Sequence, residues 1–477
     1  MTPIDTIDFP CEEVPEATDA RRLLGIYEMR REGRLMQRIK VHAGRLTPEQ
    51  LGALADTAAR YTPEYPVHVT TRQDIELHGV RPPDVPGVQR RIRRMGLTTA
   101  GACGDTLRNV TTCPGCGLCP GGVDVSQAAD AVRTAAESMP FITDMPRKFK
   151  ISFSGCRNKC ARPWINDLGF VALEDGRFRA VGSGSLGPRP GTGIELYESL
   201  GADQIVPLIV AALRFFNAEG DRENRGRARF RHVRERIGEH EFRSRLDEGF
   251  RRELKAGDWP VPAAPRCDEE GPAPIRFHLP KGDISQEAAS ELSEAAEATG
   301  AAVRIGFEHD LWVFSPEALS LSDRLRALRT GPSIVSCPGN TWCRRGIADT
   351  RGAEEGVRVA EGDGLAGLRL CFSGCPNNCA HAAVADIGLT GCIKSFDGVR
   401  TKCFRLYAGG GKGKDERLAR RLHLGVPAEL VPGVIEDLVA EYRRAAADDV
   451  SFADFAAHER EHLARMVEET VEGYQPR

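Results

Sequence analysis

Several kinds of protein are excluded by what this sequence lacks. Its longest apolar run, IVPLIVAAL from Ile205 to Leu213, is too short to span a bilayer, so no membrane role is expected. The formal net charge is only -3, which leaves no strongly basic face for a nucleic acid. The N-terminus, MTPIDTIDFPCEEVPE, is acidic and has neither the basic start nor the apolar centre of a secretory signal, so a cytoplasmic location is expected. Two glycine-rich stretches, GSGSLG (Gly182 to Gly187) and AGGGKGK (Ala408 to Lys414), do not have phosphate-loop spacing, and the dinucleotide fingerprint is missing. The balance of 41% hydrophobic and 28% charged residues is that of an ordinary globular protein, and 477 residues exceed one hydrophobic core.

What the chain does have is cysteine, 15 in all, in a compartment where structural disulfides are rare. Metal ligation is therefore the leading reading. The cysteines follow an internal repeat. TTCPGCGLCPGG sets Cys113 and Cys119 in a C-x5-C frame, and SGCRNKC sets Cys156 and Cys160 in C-x3-C. In the second half VSCPGNTWCRRG repeats the first frame with Cys337 and Cys343, and SGCPNNC repeats the second with Cys375 and Cys379. INDLGFV answers ADIGLTG at the same offset, with Asp167 and Gly169 against Asp386 and Gly388. LGADQIVP (Leu200 to Pro207) likewise answers LGVPAELVP (Leu424 to Pro432). The boundary is expected in the proline-rich segment Asp258 to Pro274. KFKISFS and LRLCFSG read as strands entering the cysteine loops, SQAADAVRTAAESM as a helix capped by Ser126, and IVPLIVAALRFFNAEG as a helix ending at Gly220. Alternating strands and helices imply layered α/β domains.

Four thiolates in two short-spaced pairs can hold zinc, an iron–sulfur cluster, or nothing. Structural zinc favours tighter knuckles than a five-residue gap. A cubane cluster suits cysteines flanked by glycines, whose amides can approach sulfur. Cys113, Cys116 and Cys119 imitate a bacterial ferredoxin run, but the fourth position holds Val123, so that reading fails. Cys11, Cys103, Cys267, Cys371, Cys392 and Cys403 fit no frame and read as small apolar fillers.

With TTRQDIELHG (Thr70 to Gly79) and LRNVTTCPG (Leu107 to Gly115) upstream, the cysteine frames resemble those of the siroheme- and [4Fe-4S]-dependent sulfite and nitrite reductases over nearly the whole chain. The resemblance implies an α/β (α+β) duplicated fold: two ferredoxin-like half-domains that pair pseudo-symmetrically, plus two three-layer siroheme/[4Fe-4S] domains. The expected segments are 1–100 (arm and half-domain 1), 101–257 (cluster domain, repeat 1), 258–330 (linker and half-domain 2) and 331–477 (cluster domain, repeat 2). It also implies a cluster on Cys337, Cys343, Cys375 and Cys379, with Cys379 bridging to the siroheme iron, and substrate-anion contacts from Arg72, Arg108, Lys148 and Lys150. Arg38 and Lys40 are implied for the siroheme carboxylates. Forked guanidiniums and compact ammoniums suit oxyanions and the protonation of breaking S–O or N–O bonds. His78 reads as a packed strand residue, and Asn224 to Arg236 as a cofactor-facing stretch or a solvated helix face.

This chain differs from that pattern in keeping cysteines in the first repeat as well: Cys113, Cys119, Cys156 and Cys160. The second repeat keeps one of the four cations, and an acid has entered. Glu308 aligns with Arg72, Pro332 with Arg108, Gly367 with Lys148, and Arg369 with Lys150. A carboxylate there repels an anionic substrate. One catalytic site and one further cluster, relaying electrons or structural, are therefore expected, with the number of sirohemes open. The expected reaction is six-electron reduction of sulfite to sulfide, with nitrite reduction to ammonia by the same centre as the rival. With no flavin or nicotinamide module, electrons come from a ferredoxin or flavoprotein donor. A corrin-ring hydroxylase or an electron-transfer subunit on the same scaffold are the remaining readings, and the intact TTRQ, LRNV and RKFK motifs argue against both.

Overall fold

The computed structural model describes residues 14–119, 122–156, 158–263, 267–268, 273–329, 331–357, 365, 367–411, 416–446 and 450–476. Cys11, the Cys267 side chain, most of the proline-rich segment after residue 263, and residues 412–414 of the second glycine-rich stretch lie outside them.

Two small sheets pair at the centre. The first runs Ile26–Glu28, Leu35–Lys40, Asp74–Val80 and Val67–Val69; its last strand is Asp283–Ile284, contributed by the second half. The second runs Ile275–His278, Asp310–Phe314 and Ala302–Ile305; its last strand is Arg45–Leu46, contributed by the first half. Each half thus lends the other a two-residue edge strand. The helix Pro48–Tyr61 begins at a capping box, with Thr47 accepting from the Gln50 amide and Gln50 reaching back to Thr47. Its partner in the second half, Gln286–Ala298, is capped by Ser285. The two helices pack on each other, and Leu51, Leu54, Ala289 and Leu292 belong to one core that spans both halves.

The duplication is visible in the backbone. Non-glycine residues with positive φ are uncommon, yet here they come in matched pairs: Ala43 and Lys281, Gln73 and His309, Lys159 and Asn378, Arg162 and His381. The Gln73/His309 pair places Glu308 opposite Arg72 without any appeal to the cysteines.

Two larger domains flank this centre. One sheet takes the order Thr111–Thr112, Ile151–Ser154, Leu168–Ala172, Phe178–Gly182, Ile194–Leu200. The other repeats it with Ser333–Ser336, Arg369–Ser373, Ile387–Phe396, Val399–Ala408, Arg420–Pro427. In both, the first three strands are parallel and the last two antiparallel. Helices cover them, among them Ser126–Glu137 and Ala202–Glu219 in the first and Val431–Ala445 and Arg460–Glu472 in the second. The helix expected to end at Gly220 does so. Ser126 is the first helical residue and not the cap: its amide donates to Asp124 Oδ1 at 2.8 Å, so the capping carboxylate stands two residues earlier. Within the proline-rich segment Cys267–Asp268 pairs with Gly122–Val123, so the connection is stitched to the first cluster domain.

Because Leu292 is fully buried where the halves meet, Leu292→Ala should lower unfolding free energy by about 2–5 kcal/mol, read from urea denaturation. A change within error would mean the half-domain contact is not part of the cooperative core.

Candidate functional site

In each repeat a parallel strand delivers a Ser-Gly-Cys turn to the sheet end. Gly155 donates its amide to Cys113 Sγ at 3.2 Å, and Gly374 donates to Cys337 Sγ at 3.1 Å. A Cβ at Gly155 would lie 2.0 Å from the Val123 carbonyl oxygen, and one at Gly374 would lie 2.7 Å from Gly339 Cα, so both positions require glycine for close approach. Amide donation to sulfur is the support that cluster thiolates take from loops.

The sulfurs of Cys113, Cys156 and Cys160 lie within 4.8 Å of one another, with 3.8 Å from Cys113 to Cys156 and 3.5 Å from Cys156 to Cys160. Cys119 stands outside this triplet, its sulfur against Gly115. The second-repeat cysteines are more open: Cys343 and Cys379 are exposed, and no such triplet forms there among the described residues. They still sit in one another's field. Burial and then Cys379 push the Cys375 thiol up to about 11, and burial with Cys379 raises Cys337 and Cys343 as well. Neighbouring thiols that hold one another protonated release protons when iron binds, which is the chemistry of an all-cysteine cluster site. Both donor sets fit a cluster. Cys116 does not join either: its sulfur accepts from the Val125 amide at 3.1 Å and lies 3.2 Å from Asp124.

The residues expected to bind the anion belong to the first repeat, yet the structure sets them against the cysteine loop of the second. Thr71 Oγ1 donates to the Cys379 carbonyl at 2.8 Å, tying the TTRQ turn to SGCPNNC. Arg72 is steered by Asn166 Oδ1 and the Asn109 carbonyl, each at 2.7 Å, and burial lowers it to about 10. Arg108 is 9% exposed with its Nε buried and unpartnered. Lys148, which interacts with Cys379, is brought down to about 7 by burial and then by Arg229. Lys150 is held well below the usual lysine range by burial, then by Arg72 and Lys148. Among the described residues, Arg108, Lys148, Lys150 and Lys40 have no ion-pair partner. A group of half-buried cations without counter-charges is costly, and it suits an anionic ligand.

The two residues expected to serve the siroheme carboxylates differ. Arg38 is paired with Glu76, whose other oxygen is 3.0 Å from His78 Nε2. Its charge is already matched. Lys40, buried and lowered by desolvation, is free of such a pair and lies in the field of Arg108. His78 is packed against Trp342 at 4.7 Å between ring centroids, as a strand residue should be. Sequence reading missed Arg229: within a stretch read partly as a solvated helix face, Arg229 is 8% exposed and binds the fully buried Asp167 at 2.5 Å. Asp167 also accepts the Lys150 amide at 2.8 Å, so this pair fixes the segment that carries both lysines into the strand Ile151–Ser154. The Asp at a shared offset in both repeats was the available signal, since Asp386 accepts the Arg369 amide in the same way.

The second copy of the anion site is closed from within. Glu308 is bound by Arg162 at 2.9 Å, Arg369 at 3.3 Å and Arg276 at 3.7 Å, and accepts from Ser333 Oγ at 3.0 Å. The expectation of repulsion alone is thus incomplete: a carboxylate of the chain itself fills the place an anion would take. The uncounted cysteines Cys103, Cys371, Cys392 and Cys403 are buried, as fillers should be.

The fold thus sets the Cys379 loop of one repeat against buried cations of the other. Residues 103–254 and 331–471 match the family described as the nitrite and sulphite reductase 4Fe-4S domain, and residues 27–95 match the nitrite/sulfite reductase ferredoxin-like half domain. The chain belongs to this siroheme-dependent reductase family and is an enzyme of it. It is 28% identical to the chloroplastic ferredoxin–nitrite reductase of Zea mays, over 92% of this chain and 85% of that one. Against the ferredoxin–nitrite reductase of Synechococcus elongatus the figures are 29%, 86% and 86%. The assimilatory ferredoxin-dependent nitrite reductase of Haloferax mediterranei is 27% identical over 88% of this chain and 81% of its own. The Mycobacterium tuberculosis NirA structure shares the fold, with a TM-score of 0.82 over 97% of this chain and 95% of that chain at 20% identity. No helix among the described residues is long and apolar enough to cross a membrane.

In protein free of anionic cofactor, Lys148 should lose its proton near pH 7, being cationic below and neutral above. Lysine Nζ resonances followed against pH check this, and binding of an anion should move the midpoint up. A midpoint in the ordinary lysine range without any anion would refute the desolvated cleft.

Proposed function

We propose that this chain reduces nitrite to ammonia, takes its electrons one at a time from a ferredoxin, and accepts sulfite as a secondary substrate of the same centre. The observation that carries the reading is the set of partnerless cations, Arg108, Lys148 and Lys150, gathered with Arg72 beside the Cys379 loop. The names of the relatives from Zea mays and Synechococcus elongatus favour nitrite and a ferredoxin donor over sulfite and a flavoprotein.

A physical argument points the same way. Counting Lys150 as a full positive charge favours the more highly charged sulfite. Burial beside Arg72, Lys148 and Arg229 instead holds Lys150 toward its neutral form. A neutral amine orients an oxygen and passes a proton but adds little attraction for a second negative charge.

The reaction consumes six electrons and eight protons per nitrite and yields ammonium and two waters. Siroheme, when bound, supplies an iron at which the anion docks and electrons arrive. Arg72 and Arg108 hold the anion's oxygens and stabilise charge as each N–O bond breaks. Lys148, with its affinity for protons brought near neutrality, donates to the departing oxygen and is recharged from solvent. Lys40 suits the carboxylates of the tetrapyrrole better than Arg38, which Glu76 already neutralises. We assign one [4Fe-4S] cluster to Cys337, Cys343, Cys375 and Cys379, of which Cys379 would also hold the siroheme beside it, and a second to Cys113, Cys119, Cys156 and Cys160. The close sulfur triplet supports the latter. The absence of disulfides among the described residues suits a reducing compartment, and we place the protein in the cytoplasm.

Arg108→Ala should lower kcat for nitrite by about 10²–10³, with the iron–sulfur absorbance and EPR signals kept. Loss of a cluster in that variant would remove Arg108 from the anion site. With reduced ferredoxin, kcat/KM should be higher for nitrite than for sulfite, and the reverse order would overturn the substrate assignment.

A further inference from the structure

The two C-x3-C loops touch. Arg162 follows Cys160 by two residues, and His381 follows Cys379 by two. Both residues have positive φ, 49° and 63°, and both are buried, at 7% and 6% exposure. Arg162 Nη1 lies 2.7 Å from His381 Nδ1. Around this contact the turns that follow, Pro163–Ile165 and Ala382–Val384, share one apolar cluster made by Trp164, Ile165, Ala383 and Val384. Arg162 is further fixed by its ion pair with Glu308 at 2.9 Å, while His381 and Arg162 border the same small cavity as Arg72 and Lys150.

The chain therefore offers one connected route between the two cysteine sets. It runs from Cys160 through Ala161 to the Arg162 guanidinium, across one hydrogen bond to the His381 imidazole, and through Ala380 to Cys379. Except for that hydrogen bond the route is covalent. The pseudo-symmetric anion site next to it is filled by Glu308, held by Arg162 and Arg369, so the first-repeat cysteines face no place where a substrate anion could react. A cluster there is left with a structural role or with electron transfer, and the contact with the Cys379 loop favours electron transfer.

We propose that the Arg162–His381 contact is the electron connection between a first-repeat iron–sulfur cluster and the catalytic one. This rests on the reading that Cys113, Cys119, Cys156 and Cys160 hold a cluster. In each step the reduced first-repeat cluster loses one electron and is oxidised, and the second-repeat cluster gains it and is reduced. An external one-electron iron–sulfur protein then re-reduces the first. No bond to substrate forms or breaks in the step, and no proton moves. Arg162 and His381 are positioning residues here, since neither touches the reacting nitrogen. The rigid apolar packing behind them holds the hydrogen bond without further adjustment.

The test uses the full chain with siroheme loaded, reduced by rapid mixing with a one-electron donor and freeze-quenched for EPR, with iron and sulfide counted. His381→Leu removes the acceptor and leaves the Arg162–Glu308 pair. Its transfer from first to second cluster should slow about 10-fold or more, while both clusters stay in place. His381→Gln, which can still accept from Arg162, should restore the rate. Arg162→Lys, which keeps a cation near Glu308 but ends short of His381, should slow transfer from the other side. Two intact clusters with an unchanged transfer rate in both His381→Leu and Arg162→Lys would overturn the connection alone. Iron for a single cluster in the unaltered protein would overturn the two-cluster reading, and the connection with it.

Discussion

The rest of the molecule is arranged around an uncompensated positive charge. Arg72, Arg108, Lys148 and Lys150 are brought together out of water with Asp167 already committed to Arg229. Such a group is unstable by itself, and its lysines respond by giving up protons. In the proposed function an anion from outside, a tetrapyrrole carboxylate or a small oxyanion, completes it. The scaffold must hold these side chains against their mutual repulsion, and it does so with backbone carbonyls, Asn109 and Asn166 on Arg72 and the buried Arg229–Asp167 pair under the lysine segment. Those contacts are too specific to be replaced by general packing.

The duplicated architecture explains how the charge meets the sulfur. Two half-domains exchange edge strands and share a helix-to-helix core, so each repeat's loops face those of the other. Thr71 then reaches the Cys379 backbone, and the buried cations of the first repeat border the C-x3-C loop of the second. The same symmetry creates a second pocket of opposite composition. There Glu308 replaces Arg72 and is neutralised by Arg162, Arg276 and Arg369. One pocket waits for an anion and the other contains one. Duplication supplied both sites, and the loss of three cations together with the change of sign at Glu308 separates their composition.

Read in order, the chain disclosed much of this. The two cysteine frames, the shared aspartates and the anion-binding motifs are local patterns with fixed spacing, so they could be found without a fold. The cluster strands and the helix ending at Gly220 follow from periodicity and a terminal glycine. Ser126 shows the limit of that kind of reading: a serine ahead of an apolar run reads as a cap, but Asp124 two residues earlier reaches the same amides with a charged oxygen. Arg229 was hidden because a run of arginines on a helix looks the same in sequence whether it faces water or a buried aspartate.

The sequence by itself determined that the chain is duplicated, that cysteines come in two matched pairs in both repeats, and that three of the four cations of one repeat are absent from the other. Tertiary structure alone decided which loops face each other, that Arg162 meets His381, that Glu308 is held and not exposed, and that Lys150 is driven toward neutrality. The reason is one of range. Ligand spacing is set by a few consecutive bonds, whereas ion pairing and proton affinity depend on solvent exclusion and on charges hundreds of residues away, which only the packed chain brings near.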